Sequence, residues 1–340
     1  MLSRTASSLY WLQRYLERAE SNARLLEGTL NLSLDLPAEA EDAWEAVVAT
    51  SGDLEPFNER FGRATQANAL RFLAFDPENE NSVLNAVKWA RENARQVREQ
   101  IPDEAWELIN SLYQALRSIS ASEAALTVVA EALHEVRVAG RGVEGALQAA
   151  MPREEGWQFN RLGLQLERAD QSSRLIDANH QLLPPYTEQG SSSHRWEGLL
   201  KSSGAAQAFR RRHGATEGLK AAAFLLLDPA FPRSVAFCLT ASEQALRAIT
   251  GTPVGQFRDP AQKALGKLAS QLRYTEMEDV LRRSLHLWLD DFQASLGQVS
   301  AAVSKEYFDP PTAETPAAAH AMTPEIPKTR DRSAQEQQQQ

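Results

Sequence analysis

The stretch SLYWLQRYLERAESNARLLEGTL, residues 8–30, decides the fold of this 340-residue chain. Its apolar residues recur in steps of three and four, the spacing of one packed face of a long helix; they are Leu9, Leu12, Leu16, Ala19, Ala23, Leu26 and Leu30. A polar stripe that includes Glu17, Glu20 and Arg24 follows one position later. Because one residue turns a helix by about 100°, this stripe lies at the edge of the buried face. We therefore expect its charges to be partly covered and to need partners.

The same pattern returns about 150 residues later, in WQFNRLGLQLERADQSSRLID, residues 157–177. Other landmarks repeat at nearly the same offset: Trp44 and Trp196, Gly52 and Gly204, Gly62 and Gly214, Asp76-Pro77 and Asp228-Pro229, and Leu133-His134 and Leu285-His286. Scattered coincidences would not keep one offset over so many positions. The sequence therefore indicates a tandem duplication.

No segment shows the period-two alternation of a β-strand, and glycine and proline fall mainly between the helical patterns. We predict an all-α protein of two homologous helical-bundle halves, residues 1–152 and 153–308, packed as one unit about a pseudo-two-fold axis. Within the first half, Asp76-Pro77 is expected to end one helix and to start the next, which runs to about Gln100. Residues 309–340 are rich in Pro, Ala, Thr and Gln, and we predict that this tail is disordered.

The bulk composition argues against several classes of partner. A net charge of −9 disfavours non-specific binding to nucleic acid or to an anionic membrane. The longest apolar run, residues 221–227, is too short to span a bilayer. The first helix is amphipathic and does not resemble a signal peptide, and a single cysteine fits a reducing compartment. We therefore expect a cytoplasmic protein.

Two Glu-Arg-Ala helices, ERAE and ERAD, resemble the signature of the alpha-E family, all-helical proteins named for their ER motif. The resemblance extends to about Phe308 and includes MLSRTASSLYWL, WARENARQVREQIPDEAWELIN and GWQFNRLGLQLERAD. Gln13 and Leu164 depart from it, since the family usually has Gly and Arg there. The resemblance implies association with a circularly permuted ATP-grasp ligase and a transglutaminase-like peptidase, in some cases beside a proteasome-like peptidase.

The candidate binding residues are the charges of the two ER helices: Glu17, Arg18, Glu20, Arg24, Glu167, Arg168, Asp170 and Arg174. One interpretation is structural, because Glu20 and Arg24 form a favourable i,i+4 pair, as do Asp170 and Arg174. Another is a polar site that faces a ligand or partner. Arg18 and Arg168 cannot pair well with their neighbouring glutamates, so we predict that they pair across the two helices, Glu17 with Arg168 and Glu167 with Arg18.

A metal site is a weaker hypothesis. Four carboxylates on two related helices are similar to a di-metal bundle: Glu17, Glu20, Glu167 and Asp170. Such bundles also need a Glu-x-x-His on each of two further helices. Glu131 and His134 supply one, but Arg283 replaces the Glu before His286. The sequence therefore predicts no metal and no cofactor.

Two further features are explained more simply as structure. Cys238 could be a nucleophile, but its apolar neighbours indicate a small core residue. Residues 210–213, Arg-Arg-Arg-His, could bind a phosphate or an acidic partner, although charge runs are usually solvated helix faces.

The sequence favours a non-catalytic accessory or scaffold subunit of an ATP-grasp-linked peptide-synthesis or peptide-modification system, a function that rests on the resemblance. The alternative is an enzyme that acts on an acyl or aminoacyl intermediate, with Glu17 or Glu167 as general acid or base. The solvent exposure of these glutamates distinguishes the two hypotheses, because a catalytic glutamate lines a cleft and a structural one is fully paired.

Overall fold

The computed structural model describes residues 1–35, 37–119, 125–183 and 193–309, and all regular structure in these ranges is helical. The all-α prediction is confirmed. The α-helices are α1 Ser3–Asp35, α2 Pro37–Ser51, α3 Leu54–Phe61, α4 Gln66–Leu70, α5 Val83–Gln96, α6 Asp103–Arg117, α7 Leu126–Ala150, α8 Glu155–Asp177, α9 Ser193–Ser202, α10 Ala206–His213, α11 Gly218–Leu227, α12 Val235–Thr250, α13 Pro260–Arg273, α14 Met277–Arg282 and α15 Leu285–Val303. Short π-helical turns span Arg71–Phe75 and Ser304–Phe308, and 3-10 turns span Arg98–Gln100 and His180–Leu182.

The two ER helices, α1 and α8, form the centre of the molecule and pack directly against each other. Helix α1 also contacts α2, α5, α7 and α9, while α8 also contacts α2, α11, α12 and α15. Gly163 of α8 lies so close to α1 that an added Cβ would sit 2.2 Å from the carbonyl oxygen of Tyr10. This close approach explains why the polar stripe of each helix becomes buried against the other.

The predicted helix start at Asp76-Pro77 is wrong. Helix α5 begins at Val83, and the hydroxyl of Ser82 caps it by accepting a hydrogen bond from the amide of Asn85. Asp76 instead accepts from the amide of Glu78 and ends the preceding helical segment. Asp and Ser both have the chemistry of an N-cap, so local sequence did not separate the two positions.

The apolar core has three clusters of buried side chains. One cluster contains Trp44, Phe57 and Phe72 and is formed mostly by the second part of α1 and by helices within residues 37–136. Trp196 and Phe209 belong to a second, which is built mostly from α8 to α15. A third joins the start of α1 to α5, α6, α7 and α8.

Residues 1–309 form one compact unit by their contacts. The segment predicted to be disordered lies outside the described residues, apart from Asp309 at its start. Among the described helices, none combines the length and apolarity that crossing a membrane requires.

Candidate functional site

The ER motifs of α1 and α8 meet in a buried cluster of charges. Glu17 and Glu20 are each 2% exposed, and Glu167 is fully buried. The expectation of partly covered charges underestimated this burial, because α8 covers the polar edge of α1 and α1 covers the polar edge of α8. We call this set the arginine–glutamate cluster; its members are Arg14, Glu17, Arg18, Glu20, Arg24, Glu144, Glu167, Arg168, Asp170, Arg174 and Arg233.

Glu167 is held by two arginines of α1. The Nε atom of Arg18 donates to its Oε1 atom at 2.7 Å, and the Nε atom of Arg14 donates to its Oε2 atom at 2.6 Å. Arg14 is further fixed by hydrogen bonds to the hydroxyls of Tyr10 and Ser300. Both carboxylate oxygens of this buried glutamate are therefore satisfied by cations.

Glu17 is likewise held by two arginines, one from α8 and one from the turn before α12. The Nε atom of Arg168 donates to its Oε2 atom at 2.9 Å, and Arg233 donates to its Oε1 atom. Arg168 also donates to Glu144 of α7 at 2.7 Å. The predicted cross-helix pairs, Glu17 with Arg168 and Glu167 with Arg18, are both confirmed.

The two predicted pairs within a helix are also present. Arg24 contacts Glu20 in α1, and the Nε atom of Arg174 donates to Asp170 in α8 at 2.9 Å. Glu20 additionally lies 3.3 Å from an Nη atom of Arg233. The structure thus places six of the eight predicted binding residues in ion pairs at the α1–α8 interface: Glu17, Arg18, Glu20, Arg24, Glu167 and Arg168. Asp170 and Arg174 pair with each other within α8.

Sequence reasoning missed three members of the cluster, Arg14, Glu144 and Arg233. Arg14 carried a usable signal, because it lies four residues before Arg18 and therefore on the same face of α1. Arg233 lies in the turn before α12, far from both ER motifs in sequence, and no local pattern indicates it. It supplies the second cation of Glu17, whereas Leu164 occupies the position in α8 that corresponds to Arg14 in α1.

The surrounding arginines keep both ER glutamates ionised. Burial alone raises the pKa of Glu167, but Arg18 and Arg14 outweigh it and lower that pKa from 4.5 to about 2. Burial also raises the pKa of Glu17, and Arg168 and Arg233 reverse the effect, so that it falls below its ordinary value. An efficient general acid or base has a pKa near the working pH. Neither glutamate meets that condition.

A small cavity of about 40 Å³ borders the cluster, and Arg24, Arg168 and Arg233 are among the residues that line it. Burial and the nearby Arg233 lower the pKa of Arg24. Cations crowd each other at this point. Each of these three arginines is also paired with a glutamate of the cluster.

The other residues considered in the sequence analysis are buried or take part in ion pairs. Cys238 is fully buried, and burial raises the pKa of its thiol to about 12, so the prediction of a core residue is confirmed. In the run 210–213, Arg212 contacts Asp228. Arg283, which interrupts the second Glu-x-x-His motif, contacts Asp291.

The family model Alpha-E, described as a predicted alpha-helical domain with a conserved ER motif, matches residues 1–308. Uncharacterized proteins of Mycobacterium bovis and Mycobacterium tuberculosis are 24% identical to this chain over 320 residues, and a further one of M. tuberculosis is 23% identical. Each alignment covers 88% of this chain and 35% of the relative, so the chain spans about a third of the length of the curated relatives it matches. No solved structure matches the chain.

Proposed function

The chain belongs to the Alpha-E family, and from this premise we propose that it is a non-catalytic accessory or scaffold subunit of an ATP-grasp-linked peptide-synthesis or peptide-modification system. Its partners would be a circularly permuted ATP-grasp-type ligase and a transglutaminase-like peptidase, as the family resemblance implies.

The observation that carries the non-catalytic role is the pairing of the ER glutamates. Glu17 and Glu167 are buried, and two guanidinium groups hold each of them. A carboxylate in that position cannot reach a substrate and does not exchange protons near neutral pH. Such a network instead fixes the register of α1 against α8, a role in specificity that buried charges have in some proteins.

The lengths of the relatives support the accessory role. The matching segment makes up 35% of the mycobacterial relatives, so in those chains it is joined to other sequence of greater length. A helical segment that occurs within longer chains is well suited to work beside other domains. This supports a partner but does not name it.

We also propose that the chain arose by tandem duplication and that its halves, residues 1–152 and 153–308, are related by a pseudo-two-fold axis. Reciprocal pairing of Glu17 with Arg168 and of Glu167 with Arg18 supports this arrangement, because a two-fold axis between α1 and α8 would generate one pair from the other. The halves share this buried interface, so we expect residues 1–152 alone to be insoluble or molten. A cooperative thermal melt of that fragment would argue against this expectation.

One observation favours the enzymatic alternative. The cavity beside the cluster is lined by three arginines and could hold the carboxylate or phosphate of an acyl or aminoacyl intermediate. The alternative still requires an acid or base at that cavity, and burial keeps Glu17 and Glu167 from this role.

Affinity purification of the full chain at native expression level, with mass spectrometry of the captured proteins, tests the proposal. We expect a ligase of the ATP-grasp type to be enriched over a mock purification and to form a defined complex when co-expressed. The absence of both a ligase-type and a peptidase-type partner would overturn the proposal.

The Glu167→Gln variant distinguishes the proposed scaffold role from the enzymatic alternative. Glu167→Gln should keep the partner as long as the protein is folded at the assay temperature, and the activity of the complex should persist. Loss of turnover by a folded, assembled Glu167→Gln complex would favour the enzymatic alternative. Glu155→Gln, on the exposed first turn of the same helix, is the matched control.

A further inference from the structure

A second group of titratable side chains lies at the C-terminal end of α8, one turn beyond the last member of the arginine–glutamate cluster. Asp177 is the last residue of α8, His180 begins the 3-10 turn that follows, and His286 is in the first turn of α15. One potential ligand atom from each of the three lies within 4.8 Å of the others. All three side chains are partly accessible to solvent.

The contacts within the group are close. The Nδ1 atom of His286 lies 2.7 Å from Oδ1 of Asp177, and the Nδ1 atom of His180 lies 3.9 Å from the same oxygen. The two imidazole rings stack with their centroids 4.7 Å apart. A second carboxylate lies at the other edge of the His286 ring, where Oδ2 of Asp290 is 3.6 Å from Nε2.

Asp177 lies at a position where a nearby positive charge is stabilising. The carbonyl end of a helix carries partial negative charge, so an aspartate in the last turn is unfavourable unless a positive group accompanies it. At the corresponding place in α1, Glu27 is met by Arg137 of α7. The residue of α15 that corresponds to Arg137 by sequence offset is Leu289. The groups placed against Asp177 are instead two imidazoles and the side-chain amide of Gln293, which donates to its Oδ2 atom at 3.4 Å.

The backbone just before α15 has an unusual conformation. Ser284 has a φ of 79° and is the one residue other than glycine with positive φ in the part of the chain that the structure describes. Such a conformation costs free energy in a residue with a Cβ atom and persists only where the surroundings enforce it. Ser284 immediately precedes α15, which packs against α8.

We propose that Asp177, His180 and His286 bind a single divalent transition-metal ion of the zinc class. Two imidazoles and one carboxylate form a donor set that such ions favour, and the set leaves coordination positions open. Ligand atoms around tetrahedral Zn²⁺ are about 3.3 Å apart, as Zn–N and Zn–O lengths of about 2.0–2.1 Å require. When the ion binds, the contact between His286 and Asp177 therefore widens by about 0.6 Å and the separation of His180 from Asp177 narrows by about 0.6 Å. The two imidazole rings also rotate out of their parallel stack, because a ring nitrogen binds a metal in the plane of its ring.

This site is independent of the proposed scaffold role, and its test needs no partner. Untagged full-length protein is stripped with a chelator and titrated with Zn²⁺ by isothermal calorimetry. The same titration is run on His180→Ala, His286→Ala and the control His134→Ala, which removes the imidazole next to Glu27. We expect one equivalent of Zn²⁺ to bind the wild type and the control equally. Each ligand variant should weaken binding by at least about tenfold, since even the loss of outer-shell partners costs that much.

Cobalt gives a readout that does not depend on the stability of the variants. Co²⁺ added to the wild type should produce the intense visible absorption of four- or five-coordinate cobalt, and Zn²⁺ should displace it. Octahedral, weakly absorbing Co²⁺ or no stoichiometric binding by the wild type would overturn the proposal. Unchanged Zn²⁺ affinity in folded His180→Ala and His286→Ala variants would also overturn it, and would show that the group is an ordinary histidine–aspartate contact.

Discussion

Replacing Glu167 by glutamine tests whether the arginine–glutamate cluster is structural. The side chain keeps its shape but loses the charge that Arg14 and Arg18 share at 2.6 and 2.7 Å. A pKa lowered from 4.5 to about 2 corresponds to about 3 kcal/mol of stabilisation at neutral pH. Breaking a buried pair typically costs about 3–5 kcal/mol, because the remaining charge stays buried without its partner. We therefore expect Glu167→Gln to lose about 3–5 kcal/mol of unfolding free energy.

The assay is urea unfolding followed by circular dichroism and by tryptophan fluorescence, with coincidence of the two transitions as the check on two-state behaviour. In a thermal melt the same loss should lower the Tm by about 5–8 °C for a chain of this size. Glu155→Gln removes a carboxylate from the same helix that is 42% exposed and pairs with the terminal amine of Met1 at 2.7 Å. It should cost less than about 1 kcal/mol. Equal, small losses in Glu167→Gln and Glu155→Gln would refute the reasoning.

Three further predictions follow from the same interface. In a double-mutant cycle, Glu17→Gln and Arg168→Met should couple by about 0.5–3 kcal/mol in unfolding free energy, and strict additivity would rule out direct pairing. The stabilisation from Glu167 should be complete above pH 4.5 and decline as the pH falls through about 2, because its pKa is lowered in the folded state. Urea unfolding across this range should show that the difference in unfolding free energy between wild type and Glu167→Gln becomes smaller as the pH falls. A difference that stays constant with pH would contradict the assignment. Gly163→Ala should destabilise the protein by more than about 2 kcal/mol, since its Cβ would lie 2.2 Å from a backbone oxygen of α1. Gly145→Ala, whose Cβ would meet nothing within 4 Å, should stabilise the protein by about 0.5–1 kcal/mol. Thermal melts compare the two variants, and equal effects would contradict the close packing of α1 on α8.

Much of the fold follows from local patterns in the sequence. Heptad-like spacing in residues 8–30 and 157–177 predicted the two central helices, because an apolar face must be buried whatever its partner is. The cross-helix pairs were predictable for a related reason. Arg18 and Arg168 point away from the glutamates next to them in sequence, so each needed a partner on another helix.

The helix start at Val83 was not predictable in this way. Asp76 and Ser82 are both good N-caps, and tertiary packing selected the second. Helix boundaries depend on which of several adequate caps leaves the apolar face in register with its neighbours. That register is a property of the assembled core.

The sequence by itself determined that the chain is helical, that two ER helices are central, and which charges they carry. Only the tertiary structure decided that Arg233 completes the pairing of Glu17, and that His180 and His286 meet at Asp177. The reason is physical. Helix periodicity and i,i+4 pairs are fixed by local geometry, which a short stretch contains in full. Contacts between residues a hundred or more positions apart depend on how the helices pack, and packing is set by the whole core at once.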